Sequence, residues 1–212
     1  MDQNLQLHAA IIGQKTADAL VKKGFSAEYL ADQDEARKRL LELIPDGSGV
    51  GMGGSMTIKF MDIKGALEKK GCTIYDHNGI ADPEEANAIR IKQLTCDVFL
   101  CSANAITKDG RLYNVDGRGN RVAAMIFGPG KVIVVAGINK IVNDLESADE
   151  RVRMLAGPIN NIRLNTGNPC TKTGVCADCA APGRICNIAT ILHRRPSGAN
   201  ITVLLVGEAL GY

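Results

Sequence analysis

The sequence lacks tryptophan, and aromatic residues of all kinds make up only 4% of its 212 residues. Its formal net charge is +2, and lysine and arginine are scattered along the chain rather than grouped. Nucleic-acid-binding domains usually carry a basic stripe or patch, and those for single strands add aromatic rings on which bases stack. The composition therefore predicts no nucleic-acid partner.

Long apolar runs and an export signal are also missing. No apolar run approaches the roughly 18 residues of a membrane-spanning helix. The first ten residues, MDQNLQLHAA, carry an acid where a secretory signal carries basic residues. We therefore expect no membrane partner and a cytoplasmic location, where cysteines are more often reduced, metal-bound or catalytic than joined in structural disulfides.

Short apolar runs alternate with helical patterns through most of the chain. The runs are GVGM (49–52), CTIY (72–75), DVFLC (97–101), KVIVVAG (131–137) and ITVLLVG (201–207). Several are apolar at nearly every position, as are strands that helices cover on both faces. The alternation predicts an α/β fold with a mostly parallel open sheet and flanking helices.

The chain divides into a short helical start and one main domain. Residues 1–46 contain two amphipathic patterns joined by a short extended piece, which predicts an N-terminal helical segment that packs on the main domain. Residues 47–212 form the predicted α/β domain. Within it, residues 165–200 are rich in Cys, Gly, Pro, Asn and Thr. An insertion of this length is usually functional or held by a specific interaction.

Residues 47–57, GSGVGMGGSMT, contain a formal match to the GxGxxG dinucleotide fingerprint. The fingerprint needs a strand before its first glycine, whereas here the strand is GVGM itself, so a nicotinamide nucleotide is one alternative among three. A second is an anion at the start of the helix that follows Ser55, where free N–H groups and the helix dipole favour negative charge. The third is a glycine-rich turn in which Thr57 caps that helix.

A polar segment follows the strand that ends at Cys101. Ligands of open parallel sheets bind at the carboxyl ends of the strands, which favours a binding role for this segment. Its Asp-Gly pairs are also ordinary turn formers, and this alternative stays open. The polar candidates are Asn104, Asp109, Asn114, Asp116, Asn120 and Arg121.

Three stretches of the chain resemble the LUD domain family, named for lactate utilisation. They are GVGMGGSMT, SANAITKDGRLYNVDGRGNRVAAMIFGPGKVIVVAGINKIV and VLLVGEALGY, and the resemblance covers nearly the whole chain. It implies a fold similar to the sugar-phosphate isomerase and CoA-transferase superfamily, with a crevice between the glycine loop and the polar segment. The ligand-binding residues taken from it are Gly53, Gly54, Ser55, Thr57, Asn104, Asp109, Gly110, Asn114, Asp116, Gly117, Asn120 and Arg121. Gly51 of the glycine loop is a further candidate.

Similar family members are associated with oxidation of lactate to pyruvate in bacteria, alongside iron–sulfur partner proteins. The resemblance therefore implies a small organic-acid or phosphorylated ligand and a component of an oxidoreductase system. Asn104 replaces an acid of the ribose-phosphate isomerase relatives, and a carboxamide cannot act as a general base. The remaining catalytic candidates are Asp109 and Asp116 as acids and Arg121 as a carboxylate clamp.

Other functions stay open at this point. The chain could be a ligand sensor or assembly subunit without turnover, or an isomerase or transferase that acts on phosphorylated sugars or CoA esters. The sequence does not decide whether the chain is catalytic, and a homo-oligomer is one alternative for its assembly.

Four of the seven cysteines lie within PCTKTGVCADCAAPGRICN, spaced Cx5Cx2Cx6C. Four thiolates can bind a zinc ion or an iron–sulfur cluster, although this spacing matches neither a zinc ribbon nor the common ferredoxin runs. A thiol redox pair and unliganded cysteines are the alternatives. The candidate metal ligands are Cys170, Cys176, Cys179 and Cys186.

Overall fold

A computed structural model describes residues 2–212 of the chain. The strands in chain order are β1 (Ser26–Leu30), β2 (Gly49–Met52), β3 (Thr73–Asp76), β4 (Val98–Cys101), β5 (Ala105–Thr107), β6 (Leu112–Asp116), β7 (Lys131–Gly137), β8 (Ile141–Val142), β9 (Ile188–Leu192) and β10 (Ile201–Val206). Six of them form one sheet in the order β1-β10-β7-β4-β2-β3, and every neighbouring pair is parallel. This sheet confirms the predicted α/β architecture.

The helices cover both faces of the sheet. They are α1 (Gln3–Lys22), α2 (Gln33–Leu43), α3 (Met56–Phe60), α4 (Lys64–Lys69), α5 (Pro83–Gln93), α6 (Asn120–Ile126), α7 (Leu145–Arg151), α8 (Gly157–Arg163) and α9 (Cys170–Thr173). Side-chain caps start several of them: the carboxylate of Asp32 accepts from the N–H of Glu35, and that of Asp82 accepts from the N–H of Glu84. No helix of residues 2–212 is long and apolar enough to cross a membrane.

The core lies in two layers, one on each face of the six-stranded sheet. Successive residues of a central strand enter opposite layers, so Phe99 packs in one and Leu100 in the other. Leu204 and Leu205 of β10 divide in the same way. The strands read as continuous apolar runs for this reason, because both faces of each strand are buried.

A second, smaller sheet was not predicted from the sequence. Its order is β8-β5-β6-β9, with β5 and β6 forming an antiparallel hairpin and β9 pairing with β6. The polar segment after Cys101 therefore folds largely as strands, because Tyr113 and Ala105 pack against Ala148 of α7 in a small apolar cluster.

Three other regions refine the expectation. The helical segment that begins with α7 continues through a π-helical turn at Val152–Ala156 and α8 to Arg163. The predicted insertion at residues 165–200 contains α9 and β9. The short extended piece expected within residues 1–46 is β1, which lies beside β10 as an edge strand of the main sheet.

Candidate functional site

A cavity of about 490 Å³ opens at the carboxyl ends of the central strands. The residues after β2, β3, β4 and β7 form its floor and one wall, and the end of β6 together with α6 and α8 forms the other. The parallel sheet explains this position, since all its strands end at the same edge. The lining residues with polar or charged side chains are Ser55, His77, Asn78, Arg90, Ser102, Asn104, Asp116, Arg118, Asn120, Arg121, Lys140, Asn160, Arg163 and Tyr212.

The cavity is strongly cationic. Five lysine or arginine side chains line it, namely Arg90, Arg118, Arg121, Lys140 and Arg163. Asp116 is the one Asp or Glu among the lining residues, and its carboxylate is paired with Arg121 at 2.6 Å. The positive charge of the cavity is therefore largely uncompensated, which favours a negatively charged ligand.

Lys140 is the buried cation at the floor of the cavity. It follows β7 in a 3₁₀ turn, and only 3% of its surface is exposed. Its Nζ donates to the hydroxyls of Thr57 and Ser102, each at 2.9 Å, and it forms no ion pair with the described residues. Burial, with smaller contributions from the charges of Arg151 and Arg121, lowers the pKa of Lys140 to about 7. With two of three ammonium protons donated, one donor remains for a ligand.

Arg121 has a different environment from Lys140. Its Nε donates to Asp116 at 2.8 Å, its Nη1 to the carbonyl of Ser102 at 2.9 Å, and its Nη2 to Asn104 Oδ1 at 2.7 Å and to the carbonyl of Val115 at 3.0 Å. These bonds leave too few donors for the bidentate carboxylate clamp considered from the sequence. Arg121 instead joins the end of β6 to the segment after β4.

Asn104 and Asp116 complete this internal network. Asn104 Oδ1 accepts from the N–H of Val115 at 2.9 Å as well as from Arg121. Asp116 Oδ2 accepts from the N–H of Val122 at 3.1 Å, at the start of α6. Both side chains thus hold the wall of the cavity in place, and the carboxylate of Asp116 is already occupied.

His77 and Arg90 form the rim on the side of β3 and α5. Burial lowers the pKa of His77, and the charge of Arg90 lowers it further. Burial also lowers the pKa of Arg90, with a contribution from Arg118. His77 Nδ1 lies 3.0 Å from Nε2 of the buried Gln93. Arg90 and Arg118 both line the cavity, so two cationic side chains face the same space.

The structure brings the two predicted loops to one cavity. Of the predicted ligand-binding residues, those that line it are Gly54, Ser55, Asn104, Asp116, Gly117, Asn120 and Arg121. Thr57 is fully buried and does not line the cavity, but its hydroxyl accepts a hydrogen bond from Lys140, which does. Gly53 lines a neighbouring cavity of about 460 Å³, which shares Gly54 and Arg163 with the first.

Four predicted positions lie elsewhere. Gly51 is within β2, where a side chain would meet Cys96 and Phe99 in the core. Asp109 and Gly110 form the turn of the β5–β6 hairpin: Asp109 pairs with Arg111 at 3.0 Å, and Gly110 packs against the backbone of α1. Asn114 is buried within β6, and neither of its polar side-chain atoms has a hydrogen-bond partner.

An anion at the start of α3 stays a prediction, and the helix itself contributes little to it. This helix spans only Met56–Phe60, and the hydroxyl of Ser55 accepts from the N–H of Ile58 at its own first turn. A single turn sums few peptide dipoles, so its positive end is weak. The charge that favours an anion here comes from side chains.

The four clustered cysteines lie beside a second cavity of about 230 Å³, lined by Cys170, Cys176 and Cys186. All seven cysteines are free. Burial raises the pKa of the Cys170 thiol, and the neighbouring thiols of Cys179, Cys186 and Cys176 raise it further. As the chain stands, no group of three or more ligating side chains within residues 2–212 is close enough to hold a metal ion. A metal at these cysteines stays a prediction.

Sequence reasoning did not select Lys140, Arg118 or Arg163. Lys140 had a usable signal, because it follows a long buried strand directly, at the edge of the sheet where ligands bind. Arg118 lies within the VDGRGN turn, between two residues that were selected. Arg163 had no such signal, since only the tertiary packing of α8 brings it to this edge.

Comparison with known proteins agrees with the fold. The chain resembles a DUF162 family protein from Deinococcus radiodurans, whose crystal structure superposes with a TM-score of 0.53 at 13% sequence identity, covering 93% of this chain and 98% of that one. No curated protein matches the chain significantly. The sequence profile of the LUD domain matches residues 13–206. The chain therefore belongs to the LUD domain family.

Proposed function

We propose that this LUD-domain protein binds a small organic-acid or phosphorylated anion in the strand-end cavity and takes part in the oxidation of lactate to pyruvate. The observation that carries the binding proposal is Lys140, a buried ammonium group without a carboxylate partner, beneath Arg118 and other cations. Burial of an uncompensated charge costs free energy, and an anionic ligand supplies the missing counterion.

The size of the cavity favours a ligand larger than lactate alone. A liquid water occupies about 30 Å³, so a three-carbon hydroxy acid fills on the order of 100 Å³. The cavity measures about 490 Å³ and adjoins a further cavity of about 460 Å³. Volumes of this size are typical of sites for metabolites with several functional groups. A phosphorylated or multiply charged organic acid fits this space better.

The part in lactate oxidation rests on membership of the family. Conversion of lactate to pyruvate releases two electrons and two protons, so the proposal needs an electron acceptor, for which we propose an iron–sulfur partner protein in the cytoplasm. Within the cavity, Lys140 is the group suited to exchange a proton near neutral pH, because its pKa lies at about 7.

A sugar-isomerase mechanism that uses a carboxylate base has less support. Asp116 is the one Asp or Glu of the lining, and both its oxygens accept hydrogen bonds, from Arg121 and from the N–H of Val122. A sensor or assembly subunit shares the same binding site and differs only in the absence of turnover.

Calorimetric titration at constant ionic strength tests the binding proposal. The probes are inorganic phosphate, sulfate, lactate and pyruvate, and the proteins are the wild type, Lys140→Met and the control Lys69→Met on an exposed part of α4. We expect saturable binding of at least one anion, about 10-fold or more weaker in Lys140→Met, since a hydrogen bond to a charged group contributes about 1.5–3 kcal/mol. Lys69→Met should bind as the wild type does.

Equal affinities in all three proteins, or no binding of any probe, would overturn the proposed site. Lactate-dependent reduction of an electron-accepting dye then distinguishes a catalytic component from a sensor or assembly subunit. Turnover that Lys140→Met loses supports a catalytic component, whereas binding without turnover in every acceptor supports the sensor or assembly subunit.

A further inference from the structure

The segment that carries the four clustered cysteines lacks an apolar core of its own. None of the residues from Thr166 to Asn187 belongs to the three hydrophobic clusters found within residues 2–212. Its base is fixed by polar contacts, in which Asn168 Nδ2 donates to Asn161 Oδ1 at 2.7 Å and to the carbonyl of Gly183 at 2.8 Å. Segments of this length without a core usually need a metal or a disulfide for stability.

A single guanidinium brings the cysteine positions together. Arg184 donates to the carbonyl of Cys179 at 2.7 Å and to that of Cys186 at 3.0 Å, and it pairs with Asp178 at 3.0 Å. At the base of the same cavity, the N–H of Cys176 donates to the carbonyl of Arg153 at 2.9 Å. These contacts fix the backbone at Cys176, Cys179 and Cys186.

The turn between Cys176 and Cys179 already has features of a thiolate site. Asp178 adopts a positive φ of 45°, which a residue other than glycine rarely does. In this conformation the N–H of Asp178 donates to Cys176 Sγ at 3.3 Å. Hydrogen bonds from the backbone to sulfur stabilise the thiolates of iron–sulfur centres and tune their potential.

Cationic side chains next to the thiols offset their negative charge. Arg153 and Arg184 both line the cavity together with Cys170, Cys176 and Cys186. Each is paired with an acid, so the two arginines moderate the charge of four thiolates without cancelling it. The net negative charge that remains on the four thiolates can therefore bind a metal centre that carries positive charge.

The spacing of the thiols distinguishes a single ion from a cluster. Four sulfurs around zinc each lie about 2.3 Å from the metal, so they nearly touch one another. Within residues 2–212 no three ligating groups are close enough to hold an ion, and Cys170, Cys176 and Cys186 are among the residues that line the cavity of about 230 Å³. An iron–sulfur cluster places its own iron and sulfide atoms between the thiolates and so requires such a void.

We propose that Cys170, Cys176, Cys179 and Cys186 together bind an iron–sulfur cluster in this cavity. The cluster site is separate from the anion site, yet the two are adjacent. Val115 lines both cavities, and Ile185, next to Cys186 in the chain, lines the anion cavity. Each proposal stands if the other fails.

Anaerobic purification followed by reconstitution with ferrous iron and sulfide tests the cluster. We expect iron and acid-labile sulfide in equal amounts, with a brown colour and visible charge-transfer absorption. Cys176→Ser and Cys186→Ser should lose nearly all of the iron and the absorption. Cys72→Ser is the matched control, because this cysteine lies outside the cavity and a hydroxyl can keep its bond to the carbonyl of Pro45.

Stoichiometric zinc that iron does not replace would overturn the proposal. So would a protein that binds no metal and forms a Cys176–Cys179 disulfide on oxidation. Circular dichroism and phosphate binding of each variant check that the main domain is folded. A variant that binds phosphate but no iron shows a loss confined to the cysteine site, which separates this result from failure of the anion proposal.

Discussion

Lys140 is buried without an acid beside it, an arrangement that lowers stability rather than raising it. Its ammonium group contacts only the hydroxyls of Thr57 and Ser102, and the nearby Arg151 and Arg121 add repulsion. Residues that cost stability in this way are typical of binding and catalytic sites. Two predictions separate this role from a structural one.

The affinity for an anion should depend on pH through Lys140. The pKa of Lys140 in the protein without a bound anion is about 7, and a bound anion favours the charged form of the lysine. Binding above pH 7 therefore requires uptake of a proton. Sulfate is the suitable probe because its charge is constant over this range. We expect affinity to be highest below pH 7 and to fall as the pH rises, with a flatter profile in Lys140→Met. A flat profile in the wild type would contradict the assignment.

The stability of Lys140→Met should also depend on pH. The folded-state pKa is lowered from 10.5 to about 7, so the cost of burying the charge is fully present below pH 7 and disappears as the pH rises toward 10.5. Chemical denaturation at pH 6 should show Lys140→Met to be at least as stable as the wild type, and any difference should vanish near pH 10. A variant less stable at pH 6 would indicate a structural lysine.

Arg121 and Arg118 line the same cavity but should respond differently to replacement by alanine. Arg121→Ala leaves the buried Asp116 unpaired, so we expect a loss of about 3–5 kcal/mol in the free energy of unfolding. Arg118 is exposed, so Arg118→Ala should weaken anion binding with a stability change within about 0.5 kcal/mol. Denaturation and titration of both variants measure the contrast, and equal stability losses would refute it.

At the scale of elements, the β5–β6 hairpin carries polar residues to two different places. Its open end, with Asn104 and Asp116, reaches the cavity, whereas its turn at Asp109 lies beside α1, where Lys23 approaches that carboxylate at 3.8 Å. The sequence could not show which of these residues reach the cavity, because polar residues occur both at the turn and at the open end of this short hairpin.

Asp109→Ala tests this division. The side chain is half exposed and pairs with Arg111 and Lys23, so its loss should cost no more than about 1 kcal/mol of stability. Anion affinity should stay unchanged, because the residue lies outside the cavity. Loss of binding in a folded Asp109→Ala protein would restore the role that the sequence suggested.

The elements that the sequence predicted best are those with the strongest local signals. The strands β4, β7 and β10 are continuous apolar runs, and Asp32 and Asp82 precede their helices as capping residues. The second sheet escaped prediction because β5 and β8 span only Ala105–Thr107 and Ile141–Val142, and β9 is largely exposed. Such strands form only when their partners are in place.

On the scale of the whole molecule, residues 2–46 are integral to the fold. The strand β1 pairs along its whole length with β10, and Gly13 of α1 leaves room for the ring of Tyr29. Gly13→Ala places a methyl group against that ring, so we expect a loss of about 1–3 kcal/mol. Thermal unfolding should stay a single transition. Two separate transitions would show instead that the N-terminal segment folds independently.

The sequence by itself determined the alternation of buried strands and helices, the family, and the edge of the sheet at which the cationic cavity lies. These follow from local composition and from the rule that parallel strands end at one edge. Only the tertiary structure decided which side chains meet there. It directed Arg121 to an internal network, buried Lys140 without a counterion, and moved Asp109 away. Such outcomes depend on contacts between residues distant in sequence, which no local pattern encodes.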